Sequence, residues 1–278
     1  MKLPNLIIAG APKCGTSSLY FWLAAHPDVF ASRTKETFYF ADKINHFNKK
    51  CNCIEHPIEN YAKFFSQSKT EKLRFEATAA YLYSDNALEE LLKFKEPPYI
   101  IFSFREPSAQ IYSHYKMEKY RTKKVDLPLK EYVQLKKINN YVQYAKHLKK
   151  WLSVYPKEKI KVLIFEDLMK NKKSRMKELT SFLDIDKKFY ENYNFEHRNE
   201  SVTIRARWIH EYALKIQHLI PHKIQKYLLP IYMIINSTGK TKNNPEDINI
   251  LLDIKEKYKS VREELKAIMP DLPLHHWD

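Results

Sequence analysis

The sequence predicts an α/β fold: a central, mainly parallel β-sheet between layers of helices, with further helices at the C-terminal end. The apolar runs Leu6–Ala9, Tyr99–Phe104 and Ile160–Phe165 have the length and β-branched or aromatic content of buried strands. Each is followed by a stretch with helical spacing: Ser17–Leu23, Ser108–Tyr120 and Met176–Leu183. Strands that alternate with helices pair in parallel, because the crossover between parallel neighbours needs such a connection. A chain of 278 residues suits one domain with accessory helices. The expected organisation is a single domain over 1–278, with an insertion loop at 43–59 and a mainly helical part at 204–278.

The first strand runs into the densest feature of the chain. Only three glycines occur in all, and two bracket one loop, Gly10-Ala11-Pro12-Lys13-Cys14-Gly15-Thr16-Ser17. Such spacing calls for small residues, either for a positive φ or for close approach by a ligand. Ser17 and Ser18 then read as a capped helix start. Strand, glycine-bracketed loop and helix cradle a phosphate, since loop N–H groups and the positive end of the helix dipole point at the anion. The loop is P-loop-like without matching G-x-x-x-x-G-K-[ST]: Gly10, Gly15 and Ser17 fit, but Thr16 stands where lysine belongs and the lysine sits at 13. In an NTPase that lysine reaches the β/γ-phosphates and the next hydroxyl holds magnesium. Its displacement argues against an ordinary NTPase and leaves a phosphate ligand in place.

The strand 99–104 ends in Arg105, at the strand end where open α/β sheets bind ligands. Pro107 suits the first turn of the following helix, and Ser113 lies about two turns beyond Arg105. Pro12-Lys13-Cys14-Gly15-Thr16-Ser17-Ser18-Leu19 resembles the 5′-phosphosulfate loop, P-K-x-G-[TS]-[TS]-x-L, of sulfotransferases that use 3′-phosphoadenylyl sulfate (PAPS). The run from Arg105 to Tyr115 resembles their 3′-phosphate signature, R-[ND]-P-x-x-R-x-x-S-x-[YFW]. The resemblance implies that Lys13, Cys14, Gly15, Thr16 and Ser17 bind the donor's 5′ end. It likewise implies that Arg105 forks onto the 3′-phosphate while Ser113 adds a hydrogen bond. Glu106 in place of Asn or Asp, and Gln110 in place of a frequent basic residue, depart from the pattern.

Lys35-Glu36-Thr37-Phe38-Tyr39-Phe40, reached through His26-Pro27-Asp28-Val29-Phe30, resembles the family's K-E-x-x-[FY]-F after H-P-x-[VI]. The glycan-modifying branch implies Glu36 as catalytic base, and Lys13 as stabiliser of the leaving phosphate. The plain reading of Glu36 is a solvated loop carboxylate paired with Lys35. Other branches use a histidine base, but His46, His56 and His114 sit in no motif of that kind. Arg74–Leu82 resembles the segment E-x-[ST]-P-x-Y-[FL], with Ala77 where several glycan sulfotransferases carry a lysine and Ala79 in place of proline. Glu76 has two open readings there: a hydrogen bond to an acceptor hydroxyl, or a partner for a buried arginine. The helix Tyr141–Leu152, the strand with Glu166-Asp167-Leu168, and Tyr258–Leu265 with Trp277 extend the resemblance from Leu6 to Trp277.

The net charge is +15, from 48 Lys and Arg against 33 Asp and Glu. An anionic donor nucleotide accounts for part of it through steering. The patches at 119–124, 170–175 and 240–242 are either solvated faces or the mark of an anionic acceptor such as a polysaccharide or lipid headgroup. Arg33, Lys35, Lys116 and Lys119 are the candidates beside such an acceptor. The stretch 212–235 is apolar but proline-broken, and reads as core, as the face of a homo-oligomer or as a surface membrane contact. No run of about 18 apolar residues predicts a transmembrane segment. Neither a signal-peptide pattern nor a disulfide framework is present, since Cys14, Cys51 and Cys53 are the only cysteines and make a poor zinc site. The expected compartment is the cytoplasm, with no metal required and no nucleic-acid partner. The resemblance implies transfer of a sulfuryl group from PAPS to a hydroxyl or amine, first of all on a carbohydrate. The alternatives are a lipid or secondary-metabolite acceptor and, further off, a P-loop kinase.

Overall fold

The computed structural model describes residues 1–195 and 244–278, the backbone of 202–204 and 237–240, and single positions between. In chain order it forms β1 (Leu6–Gly10), α1 (Thr16–Ala24), β2 (Val29–Ala31), α2 (Ile58–Ala62), β3 (Leu73–Ala77), α3 (Asp85–Leu92) and β4 (Tyr99–Phe104). Then follow α4 (Pro107–Lys116), α5 (Leu129–Tyr132), α6 (Lys136–Tyr141), α7 (Tyr144–Val154), β5 (Ile160–Ile164), α8 (Phe165–Lys170) and α9 (Lys172–Phe182). The C-terminal helices are α10 (Asp247–Lys257) and α11 (Lys259–Ile268). The strand segments Val202–Ile204 and Ser237–Lys240 pair antiparallel, apart from the main sheet.

The main sheet has the order β2-β3-β1-β4-β5, and every pairing is parallel. Successive residues of a strand face opposite sides, so each apolar run supplies two cores at once. Ile7, Ala9, Ile100, Phe102, Phe104 and Val162 face α3, α7 and α11, where Trp151 and Leu265 are buried. Leu6, Ile8, Phe75, Ile101 and Leu163 face α1 and α9, where Leu19, Leu23, Met176 and Leu179 fill the other layer. This is the three-layer α/β architecture that the apolar runs predict. A smaller apolar cluster joins α4, α5 and α10 through Ile111, Tyr115, Tyr132 and Ile254.

The topology sets the site. From β1 the chain goes out to β2, returns through β3, and then crosses to β4 on the far side of β1. That reversal opens a crevice beyond the carboxyl ends of β1, β3 and β4. Two boundaries differ from the sequence reading. β2 is three residues, Val29–Ala31, that begin within the His26–Phe30 turn and are too few to show periodicity. β5 stops at Ile164, because Phe165 already begins α8.

Residues 43–59 lie against the segment that follows Glu36. Tyr39 donates its hydroxyl to the His56 carbonyl (2.8 Å), and Cys53 N donates to the Tyr39 carbonyl (2.8 Å). Buried Asn48 donates to the Phe38 carbonyl at 2.9 Å, and the Phe47 ring stacks on Phe38 with centroids 5.2 Å apart. Cys51 and Cys53 are free thiols. Of the stretch 212–235 and the patch 240–242 nearly all lies outside the described residues, as does most of 204–243. Among the described residues no helix is long and apolar enough to cross a membrane.

Candidate active site

Gly15 holds φ at 82° and caps α1, and Lys13 is also left-handed at 66°. The two glycines answer to the protein's own packing. A Cβ on Gly15 would stand 2.6 Å from Phe165 Cδ2, and one on Gly10 would stand 2.7 Å from Leu82 Cβ. With glycine as N-cap, no side chain caps α1, so its first N–H groups are left for another acceptor. The start predicted at Ser17 therefore shifts to Thr16, which is buried, while Ser17 is half-buried. Two bonds stitch the loop to β4: Ala11 N to the Ser103 carbonyl (2.8 Å) and Ser103 Oγ to the Cys14 carbonyl (2.7 Å).

Cys14 turns inward. Its Sγ lies 3.8 Å from the Tyr144 hydroxyl, its amide bonds the Ala11 carbonyl (3.3 Å), and burial pushes the thiol up to about 12. The Cys14 side chain is core, beside the left-handed Lys13, which leaves only the backbone of Cys14 to face a donor.

Arg105 closes the crevice from β4. Its guanidinium carbon lies 4.7 Å over the Phe165 ring, Nη1 donates to the Lys13 carbonyl (3.4 Å), and Nε stands 4.0 Å from Glu166 Oε1. Glu166 is fixed in turn by Trp277 Nε1 (2.9 Å) and the Glu106 amide (3.1 Å). Glu106 caps α4, accepting from Ser108 N (3.0 Å) and Ala109 N (2.8 Å), so the longer acid fills the role of the shorter Asn or Asp. Gln110 is buried and donates to the Pro12 carbonyl at 3.1 Å, which ties α4 to the loop.

Beside Arg105 opens a pocket of about 560 Å³, lined by Arg105, Tyr112, Ser113 and Lys116 and, from the opposite side, Asn244 and Ile248. The fold therefore brings Arg105 and Ser113 together on one pocket. Lys116 joins them, with Nζ 4.4 Å over the Tyr112 ring. Lys119 does not, since its Nζ donates to Tyr115 Oη (2.9 Å) and the Leu127 carbonyl (3.1 Å). Ser113 and Lys116 thus share one pocket, as their spacing predicts, and Lys119 lies outside it. The α-helix gives way at Met117 to a wider π turn, Met117–Arg121, which carries Lys119 further round.

The sulfotransferase domain model matches residues 3–220 of this chain. The chain belongs to the sulfotransferase family. Human bifunctional heparan sulfate N-deacetylase/N-sulfotransferase 3 is 24% identical over 201 residues, covering 66% of this chain and 22% of that protein. Rat carbohydrate sulfotransferase 15 is 25% identical over 246 residues, covering 66% of this chain and 44% of that protein. The chain thus spans less than half the length of these relatives. The crystal structure of a sulfotransferase from Alicyclobacillus acidocaldarius shares the fold, with a TM-score of 0.60 at 22% identity over 72% of this chain and 87% of that one.

Lys13 sits half-buried at the crevice, and burial, followed by the charges of Arg121 and Arg105, holds its pKa down to about 8. Lys35 adds to that depression, and the same ammonium pairs with Glu36 Oε1 at 2.5 Å. Glu36 is anchored at the end of β3: its amide donates to the Ala77 carbonyl (2.9 Å) and its Oε2 accepts from Ala79 N (3.2 Å). The pairing with Lys35 is present, but on a half-buried and anchored carboxylate.

Glu76 follows neither of its open readings. It is fully buried, its oxygens accept from four hydroxyls, and Arg74 instead donates Nε to the Leu3 carbonyl (2.9 Å). His114 is also buried. It stacks on Tyr141 with centroids 4.6 Å apart, its Nε2 lies 3.7 Å from Glu118, and burial lowers its pKa to about 4. His56 accepts from the Asn52 amide (3.4 Å) and His46 lies against Phe47, so both are engaged locally. Among the described residues no cluster of three or more His, Cys, Asp or Glu could hold a metal ion. Sequence reasoning missed Arg121, Thr37, Tyr61 and Tyr81 as parts of the site. Arg121 stood inside a patch read only for its charge; Thr37 and Tyr61 meet Glu76 through tertiary contacts that no spacing reveals, and Tyr81 reaches back to it from five residues on.

Proposed function

We propose that this sulfotransferase transfers the sulfuryl group of PAPS to a hydroxyl of a carbohydrate. The observation that carries the reading is the junction of two anion-binding elements. Arg105 and Ser113 line one pocket, and the Arg105 guanidinium bonds the backbone of Lys13, at the tip of the loop that opens α1. A nucleotide bearing a phosphate at each end of its ribose needs two such elements side by side. In this reading the acceptor oxygen attacks sulfur as the bond to the 5′-phosphate breaks. Glu36 takes the acceptor's proton, while Lys13 and the first N–H groups of α1 stabilise the charge developing on the leaving phosphate. The two relatives, a heparan sulfate N-deacetylase/N-sulfotransferase and a carbohydrate sulfotransferase, support a glycan acceptor.

Adenosine 3′,5′-bisphosphate without magnesium should raise the melting temperature, by mass action on the folded state alone. A larger rise with ATP and magnesium would overturn the donor assignment. Labelled PAPS incubated with neutral glucans, uronate-containing polysaccharides and total lipid separately should label a polysaccharide. Label in the lipid alone would overturn the carbohydrate assignment.

A further inference from the structure

Glu76 is a carboxylate buried at the end of β3, and among the described residues hydroxyls rather than an ion pair meet it. Oε1 accepts from Tyr61 (2.8 Å) and Tyr81 (3.0 Å), and Oε2 accepts from Thr37 (2.9 Å) and Thr78 (2.6 Å). Four donors fill both oxygens, the coordination of an ionised acceptor-only carboxylate. Burial works against that charge and raises the carboxyl pKa, while the four hydroxyls pull it back. A buried carboxylate without an ion pair is costly, and apolar residues of the same volume would hold the fold at least as well. Stability alone therefore gives no reason for it.

Thr37 supplies the reason. It stands between two residues in the left-handed region, Glu36 at φ 59° and Phe38 at φ 51°, neither of them glycine. Such backbone persists only where its surroundings over-determine it. Here Thr37 Oγ1 donates into Glu76 and accepts from Tyr39 N at 3.3 Å, while Tyr81 Oη accepts from Phe40 N at 3.2 Å. We propose that Glu76 is a positioning residue: through the hydroxyls of Thr37 and Tyr81 it latches the strained turn 36–38 to β3, and so fixes the Glu36 carboxylate beside Lys35 at the crevice. The catalytic part of this inference rests on the reading of Glu36 as base.

The test compares Glu36→Gln, Glu76→Gln, Thr37→Val and Thr37→Ser in the whole protein. Turnover is read from labelled PAPS, with water as acceptor and with the polysaccharide panel. The latch predicts turnover lower by about 10- to 100-fold in Glu76→Gln and Thr37→Val, the scale of a small misplacement of a reacting group. Thr37→Ser, which keeps the hydroxyl, should restore it. The melting shift with adenosine 3′,5′-bisphosphate should stay that of the parent, since the donor pocket is untouched. Amide exchange over 34–40 should quicken about tenfold in Glu76→Gln and Thr37→Val and stay unchanged in the sheet. Full turnover in Thr37→Val beside a dead Glu36→Gln would overturn the latch and keep the base. Full turnover in Glu36→Gln would overturn the base, and exchange would then decide the latch by itself: faster exchange upholds it and unchanged exchange overturns it. Should Glu76→Gln fail to fold, Thr37→Val and its serine rescue decide in the same way.

Discussion

Lys13 is a cation held in a place unfavourable to cations. Burial and three neighbouring positive charges bring its pKa to about 8, so the free site is already charged at neutral pH but loses charge above that value. A bound phosphate reverses the balance, because an adjacent anion favours the ammonium. The sign follows. Below about pH 8 the nucleotide meets a protonated lysine, and binding takes up no proton. Above it, binding must draw in a proton, and affinity for adenosine 3′,5′-bisphosphate should fall toward tenfold per pH unit. Titration calorimetry in two buffers of different ionisation heat should show proton uptake at about pH 9 and none at about pH 7. Lys13→Arg should flatten the profile, since guanidinium stays charged throughout. Arg105→Ala belongs to the same scale. It should weaken the 3′,5′-bisphosphate by about 2–5 kcal/mol and leave the 5′-monophosphate nearly unchanged. Equal losses for both nucleotides would show that Arg105 does not face the 3′-phosphate.

At the scale of elements, α4 gives the clearest test. Ser113 and Lys116 lie one turn apart on the pocket, whereas the π turn from Met117 leaves Lys119 hydrogen-bonded to Tyr115 and Leu127. Lys116→Ala should therefore weaken bisphosphate binding several-fold. Lys119→Ala should leave it unchanged and cost stability only, which paired thermal-shift titrations will separate. The strands and the loop were legible in the sequence because their cause is local. Leu6–Ala9 is apolar without interruption because β1 is covered on both faces, and Gly15 is glycine because φ is positive and Phe165 leaves no room for a Cβ. Arg105 and Ser113 were legible for the same reason, being set by one strand end and one helix face. β2, the π turn and the inward turn of Cys14 were not. Three residues carry no period, a π turn depends on what the helix meets, and Cys14 takes its side from Tyr144, which is 130 residues away. Of the four hydroxyls around Glu76, those of Thr37 and Tyr61 come from other elements in the same way, while Thr78 and Tyr81 follow it within five residues.

For the whole molecule, the question is what the charge of +15 serves. The proposed donor site uses Lys13, Arg105 and Lys116, all half-buried and therefore weakly screened by salt. A second group is exposed. Lys43, Lys49 and Lys50 lie on the 43–59 loop that clasps Phe38 and Tyr39, and Arg33 lies just ahead of Lys35 and Glu36. These cations belong to the segment of the proposed base and to the loop that contacts it, and none of them lines the pocket beside Arg105. A polyanionic glycan passing Glu36 would meet them, and its affinity would rest on screened, long-range attraction. Raising the ionic strength from about 0.05 to 0.5 M, where the Debye length falls from roughly 14 to 4 Å, should then raise the acceptor KM about tenfold or more. The dissociation constant of adenosine 3′,5′-bisphosphate should move much less. Substituting Lys43, Lys49 and Lys50 by alanine together should reproduce the high-salt KM at low salt, with nucleotide affinity kept. A KM indifferent to both treatments would mean that these charges only solvate the surface, and that the acceptor carries no charge of its own.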